Sequence, residues 1–192
     1  LHLSIRRQRQ MCIRDRLGAS EYLLSVHGLT IGEPPACNPA MERALIDALL
    51  EAIAAGVVRS AHDCSDGGLA VALAECAMMD RDHAFGFAVD LSPWTTLPHR
   101  ALLFGEAHGR VVVSTADSAA VLKIAQGYGV PARVIGRVTE ADTGASFTIS
   151  DDTFTAPINW LAKAFHEAIP QAMDGDTPAE HVVAASHAPT ND

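Results

Sequence analysis

Cysteine is scarce in this chain and never paired in pattern. Cys12, Cys37, Cys64 and Cys76 stand apart with no CxxC spacing, which argues against a zinc ribbon or a redox dithiol and leaves reduced thiols as the expectation. Aromatic residues make up only 5% of the sequence, too few for the stacking platforms of single-strand nucleic-acid binders. Positive charge is short as well: the formal net charge is −9, and the first sixteen residues alone hold Arg6, Arg7, Arg9, Arg14 and Arg16. Past residue 16 the chain is acidic and has no basic stripe, whereas binding a phosphate backbone requires clustered Lys and Arg. No run of eighteen apolar residues occurs, and the first residues lack the basic-then-apolar order of a secretory leader. These absences argue against nucleic acid and membrane as partners and point to a cytoplasmic protein.

What is present is enough apolar residue, 48% over 192 residues, to build a core in one ordinary domain. Residues 1–16, LHLSIRRQRQMCIRDR, hold no sustained helix or strand period; they resemble translated adapter sequence and are expected to be non-native. Residues 17–33 read as the remnant of a preceding domain and a linker. A short helical turn with Leu23, Leu24 and Val26 ends at Gly28, and Gly32-Glu33-Pro34-Pro35 cannot continue a helix. Asn38 and Pro39 then supply the N-cap and first residue of a helix with Met41, Ala44, Leu45, Ala48, Leu49, Ala52 and Ile53 on one face, stopped by Gly56. Val57-Val58 are expected to lead, as a short strand, into the polar stretch at residues 60–69. Residues 85–91 alternate as a strand before Pro93, and Asp117 opens a helix with Val121, Leu122 and Ala125. Residues 133–138 form a strand with Gly136 as a bulge, and residues 146–149 its hairpin partner. Ile158, Leu161, Ala162, Phe165 and Ile169 trace a last amphipathic helix. The expected domain covers residues 34–173, an α/β (α+β) fold with a layered mixed β-sheet and packed helices. Residues 174–192 are expected to be a disordered tail.

Two polar stretches interrupt this scaffold. In Ser60-Ala61-His62-Asp63-Cys64-Ser65-Asp66-Gly67-Gly68-Leu69, acids, a hydroxyl and an imidazole precede adjacent glycines and a helix-forming run. One reading is a strand-to-helix turn whose backbone approaches a phosphate while carboxylates hold a cation. The other is an N-cap, Ser65 or Asp66 capping a helix that starts near Gly68, with the glycines supplying positive φ; both can hold together. Cys64 and Cys76 read as buried fillers, and His62 as a hydrogen-bonded core residue rather than a base. The second stretch, FGEAHGR, sets Glu106 and His108 between glycines ahead of Val111-Val112-Val113. It is either a loop presenting these two to a ligand or a solvated helix-to-strand connection. Arg110 is expected to be an ion-pair partner.

The pair SAHDCSDGGLAVALAECA and LLFGEAHGRVVVS, with LGASEYL upstream and GVPARVIGRVT downstream, resembles the C-terminal domain of the synthetase subunit of multi-subunit phosphoribosylformylglycinamidine synthase, within the aminoimidazole-ribonucleotide-synthetase-like superfamily. The resemblance implies an ATP- and Mg2+-dependent ligase of purine biosynthesis. In it ATP phosphorylates the formamide oxygen of formylglycinamide ribonucleotide, and ammonia from a glutaminase subunit displaces phosphate to leave the amidine. A glutaminase subunit, a small accessory subunit and upstream domains of the same protein are the implied partners. The resemblance also implies that this chain is the last domain of two pseudo-symmetric halves, with no catalytic residue of its own. By position in the family, Asp63 corresponds to a magnesium ligand of the first half, and Glu106-Ala107-His108 to an acid-Ser-Gln loop from which Ala107 and His108 depart. Ser65, Asp66, Gly67, Gly68, Glu106 and His108 are thereby expected near a nucleotide or phosphate. Two alternatives remain: another ATP-using member of the superfamily, or a non-catalytic assembly domain.

Overall fold

The computed structural model describes residues 2–5, 17–94 and 97–174; residues 6–16 and most of the expected tail lie outside them. In chain order the elements are β1 (His2–Ile5), α1 (Glu21–His27), α2 (Pro39–Ala54), β2 (Ser60–Asp63), α3 (Gly68–Met78), β3 (Gly86–Asp90), α4 (His99–Phe104), β4 (Val111–Ser114), α5 (Ser118–Gly127), β5 (Ala132–Thr139), β6 (Ala145–Ile149), β7 (Asp152–Ala156) and α6 (Ile158–Met173), with short 3-10 turns at Ser92–Trp94 and Ala141–Thr143. The seven strands form one sheet in the order β2-β4-β1-β5-β3-β6-β7. Only β3 and β6 run parallel; the other pairs are antiparallel. This is the mixed, helix-packed sheet that the sequence implies.

The period-2 geometry of β4 separates two cores. Val112 joins a cluster with Leu69, Leu73, Leu102 and Ile158, contributed by α3, α4 and α6. Val111 and Val113 point the other way, into a cluster with Leu45, Ala48, Val121 and Ala125 of α2 and α5. The sheet is therefore sandwiched by helices at its β2-β4 end, and this is the end that holds the two polar loops.

Local chemistry accounts for the helices. Asn38 Oδ1 accepts from the Met41 amide at 3.2 Å with Pro39 in the first turn of α2, and Asp117 Oδ1 accepts from the Ala120 amide at 3.0 Å to cap α5. Gly28 closes α1 in the left-handed conformation at φ 64°.

Four features differ from the sequence reading. Residues 1–16 show no strand period, yet His2–Ile5 pair antiparallel with both β4 and β5. Backbone ladders are indifferent to side-chain pattern, and a slot between two strands satisfies every amide of a segment that enters it. Val57-Val58 lie before the strand, which is Ser60–Asp63. The bulge at Gly136 is present as a register shift against β1, but β6 is no hairpin partner of β5: it pairs with β3 and β7, because β3 takes the edge of β5 that a hairpin would need. The last helix starts at Ile158, which is 2% exposed, but the far end of its apolar face is not covered: Phe165 is 45% and Ile169 71% exposed.

Candidate functional site

The C-terminal end of β2 and the N-terminal end of β4 are hydrogen-bonded neighbours, with Asp63 opposite Val111 and the Cys64 amide donating to the Arg110 carbonyl at 2.9 Å. That pairing brings the two polar stretches side by side. From Asp63 the chain makes a tight turn in which the Gly68 amide donates to the Ser65 carbonyl at 3.0 Å, and α3 begins. Both glycines of the turn have positive φ, 75° at Gly67 and 69° at Gly68. At Gly68 the sterics are closed as well, since a Cβ there would stand 2.7 Å from the Gly105 carbonyl oxygen and 2.9 Å from Phe104 C. Glycine is required because another backbone passes directly over it.

The cap of α3 is not the one expected. Gly67 is the N-cap residue and no side chain of the turn caps the helix; Ser65 donates its hydroxyl back to Asp63 Oδ2 instead. The orphan amide is served from the other loop: Glu106 Oε1 accepts from the Gly67 amide at 2.8 Å. The same oxygen accepts from the Glu21 amide, at the start of α1, at 2.9 Å. A carboxylate at a helix N-terminus satisfies an unpaired N–H and opposes the positive end of the dipole. Above Glu106, the Tyr22 ring stacks on Phe104 with centroids 5.0 Å apart. Below it, buried Arg110 donates Nε to the Ala107 carbonyl at 3.3 Å and an Nη to the Gly105 carbonyl, so the contacts described for this expected ion-pair residue hold the loop backbone.

Asp63, Ser65 and Asp66 of the turn are exposed, and so is His108 of the neighbouring loop. The Ser65 hydroxyl is the chief cause that holds the Asp63 carboxyl below its ordinary value; burial opposes it, and a backbone hydrogen bond and the neighbouring His62 add smaller lowering contributions. His62 is half-buried and doubly held: Nδ1 lies 2.7 Å from the Asp63 carbonyl oxygen, and Nε2 lies 3.1 Å from Glu75 Oε2 of α3. The hydrogen-bonded reading of His62 fits this geometry. Cys64 is buried, and desolvation, with a smaller contribution from Cys64, pushes the Cys76 thiol up to about 11, which suits a filler and not a nucleophile.

The structure thus joins Asp63, Ser65, Asp66, Gly67, Gly68 and Glu106 at one sheet end, with His108 on the adjoining loop. Sequence reasoning missed Glu75, although it is the sole charged residue between Gly68 and Met78 and its position in an apolar helix was a signal. It also missed the clamping use of Glu106, which is 39 residues from its Gly67 partner. Magnesium takes one or two carboxylates and completes its shell with water and phosphate oxygens. Asp63, exposed and held ionised, fits that pattern; among the described residues no three His, Cys, Asp or Glu side chains gather as a protein-only cage.

A mixed sheet with helices on both faces, and a Gly-rich strand-to-helix turn locked by an acid from the neighbouring loop, defines the class: an α/β domain with a Gly-rich turn at one end of its sheet. Residues 11–148 match the family described as AIR synthase related protein, C-terminal domain, and the chain belongs to that family. It is 36% identical over 174 residues to the phosphoribosylformylglycinamidine synthase subunit PurL of Anaeromyxobacter sp. (strain Fw109-5), covering 85% of this chain and 22% of that protein. It is 42% identical over 127 residues to the PurL subunit of Deinococcus radiodurans, covering 66% of this chain and 17% of that one. The resemblance drawn from the two loops is borne out. The chain spans about a fifth of the length of these relatives. Among solved structures, T. maritima PurL complexed with FGAR shares the fold, with a TM-score of 0.67 at 21% identity over 84% of this chain and 27% of that one. T. maritima PurL complexed with ATP gives 0.61 at 21% identity, over 84% and 25%. The structure of PurLQS from Thermotoga maritima gives 0.59 at 22%, again over 84% and 25%.

Proposed function

We propose that this chain is the C-terminal part of a phosphoribosylformylglycinamidine synthase. That enzyme is an ATP-dependent ligase converting formylglycinamide ribonucleotide and glutamine-derived ammonia to the amidine in purine biosynthesis. The observation that carries the reading is the 36–42% identity to PurL subunits over most of the chain. On this reading the phosphoryl transfer and amination take place on other domains of the full protein, and this domain offers an accessory surface at the mouth of the turn. Asp63, Ser65, Asp66 and His108 face a nucleotide there, while Gly67, Gly68 and Glu106 shape the backbone beneath them. Asp63 would hold a magnesium shared with nucleotide phosphates, and the ion would supply charge neutralisation of those phosphates. A cytoplasmic setting, with a glutaminase and a small accessory subunit as partners, belongs to the same reading.

One observation favours a second reading, that of a purely assembling domain: the Gly67 amide already has an internal acceptor in Glu106. Calorimetry of the chain with magnesium and ATP separates the two. Heat of binding that is lost on Asp63→Ala supports the accessory surface, and no binding supports the assembling domain. Phosphate release from ATP, stimulated by formylglycinamide ribonucleotide and ammonium, is expected from the full-length protein and not from this chain. Turnover by the chain alone would overturn the assignment of the chemistry to other domains. A full-length protein inert with that ribonucleotide would overturn the activity itself.

A further inference from the structure

The Gly-rich turn is built like an anion site, and an anion is already in it. No acid lies in the first turn of α3 and no side chain of the turn caps it, so the helix N-terminus lacks local compensation. The one acceptor on the Gly67 amide is Glu106 Oε1, which also takes the Glu21 amide. The backbone that carries Glu106 is fixed, because the Gly105 carbonyl lies close over Gly68 and accepts from the buried Arg110. The helix at the other end of the contact is weakly anchored: α1 buries no residue, and its Tyr22 ring stacks on Phe104.

We infer that Glu106 is a built-in anion. It is a positioning residue that fills the Gly67 amide in place of a ligand phosphate and latches α1 onto the turn. A ligand at this end of the sheet then meets the exposed side chains of Asp63, Ser65 and Asp66 and not the backbone cradle, and release of α1 is coupled to opening of the turn. The inference stands on the geometry alone and is independent of the reaction assigned to the full protein.

Hydrogen exchange and amide NMR on the whole chain test it, with inorganic phosphate as the probe. In Glu106→Ala, exchange at the Gly67 and Glu21 amides rises together, by roughly the tenfold that loss of a capping bond produces, while Val121 and Ala125 of α5 keep their protection. Glu106→Gln retains an acceptor oxygen and restores protection at both amides. Phosphate leaves the wild-type Gly67 resonance in place and shifts it in Glu106→Ala. Deprotection of only one of the two amides, or a phosphate response at Gly67 in wild type that disappears in Glu106→Ala, overturns the inference. If the alanine variant unfolds, so that α5 exchanges as fast as Gly67, the glutamine variant decides: loss of protection at Gly67 or Glu21 with α5 intact overturns it, and protection at both sustains it.

Discussion

Ser65 and Asp66 are neighbours in the same turn and both are common N-cap residues, yet the structure gives them different work. Ser65 donates to Asp63 and keeps that carboxyl ionised to lower pH. Replacing it by Ala is expected to move the Asp63 titration back up toward the ordinary carboxylate range, read by carboxyl NMR. The native value is depressed, so the pair contributes stability above the unfolded pKa and loses it as pH falls through the native one; at so exposed a site the contribution is under about 1 kcal/mol. Asp66 has no capping bond to lose, so Asp66→Ala is expected to change stability by less than about 0.5 kcal/mol in urea denaturation. A loss near 1 kcal/mol would restore it as the cap. The thiols separate in the same way: exposed Cys37 should react with a thiol reagent at pH 8 well before half-buried Cys76, whose thiol is pushed up to about 11. The acids and the glycine pair were legible in the sequence because each is a local signal. The identity of the cap was not, because its oxygen arrives from a loop brought near only by the β2-β4 pairing.

Gly68 and Gly56 show how the same backbone angle carries different weight in different elements. Both have positive φ, but a Cβ on Gly56, at the end of α2, meets nothing within 4 Å, whereas one on Gly68 meets the backbone of residues 104 and 105. Gly56→Ala is expected to cost about 1 kcal/mol of left-handed strain. Gly68→Ala adds a backbone clash between α3 and α4 and should cost about 3 kcal/mol; equal costs in chemical denaturation would show that α4 gives way freely. The same logic of context explains which elements could be read in advance. α2 and α5 announce themselves with a side-chain cap followed by a 3.6-residue period, and the α6 period is equally plain. The sequence pattern cannot say where the covering body ends, and so could not show that Phe165 and Ile169 face solvent while Ile158 does not. α4 is six residues long, too short for a period to emerge, and the parallel partnership of β6 with β3 depends on a crossover, not on any local turn.

At the scale of the molecule, the sheet keeps its two cores apart. Leu73 of α3 lies wholly in one cluster and Val121 of α5 wholly in the other, with the backbone of the sheet between them. Each truncation should therefore create its own cavity with no shared wall: Leu73→Ala about 3 kcal/mol and Val121→Ala about 2 kcal/mol. Sites without common neighbours add to within about 0.5 kcal/mol, so the double variant is expected near the sum. The strands between the cores belong to both, because Val112 faces one and Val111 and Val113 face the other on consecutive residues. Loss of either core therefore unravels β4 and with it the pairing that brings Asp63 against Val111. Unfolding should remain a single transition in the double variant, followed by circular dichroism and by tryptophan fluorescence together. Two separated transitions would mean that the end of the sheet carrying the Gly-rich turn is held by one core alone, whereas a coupling above about 1 kcal/mol would mean that the sheet passes strain between the cores and does not partition them.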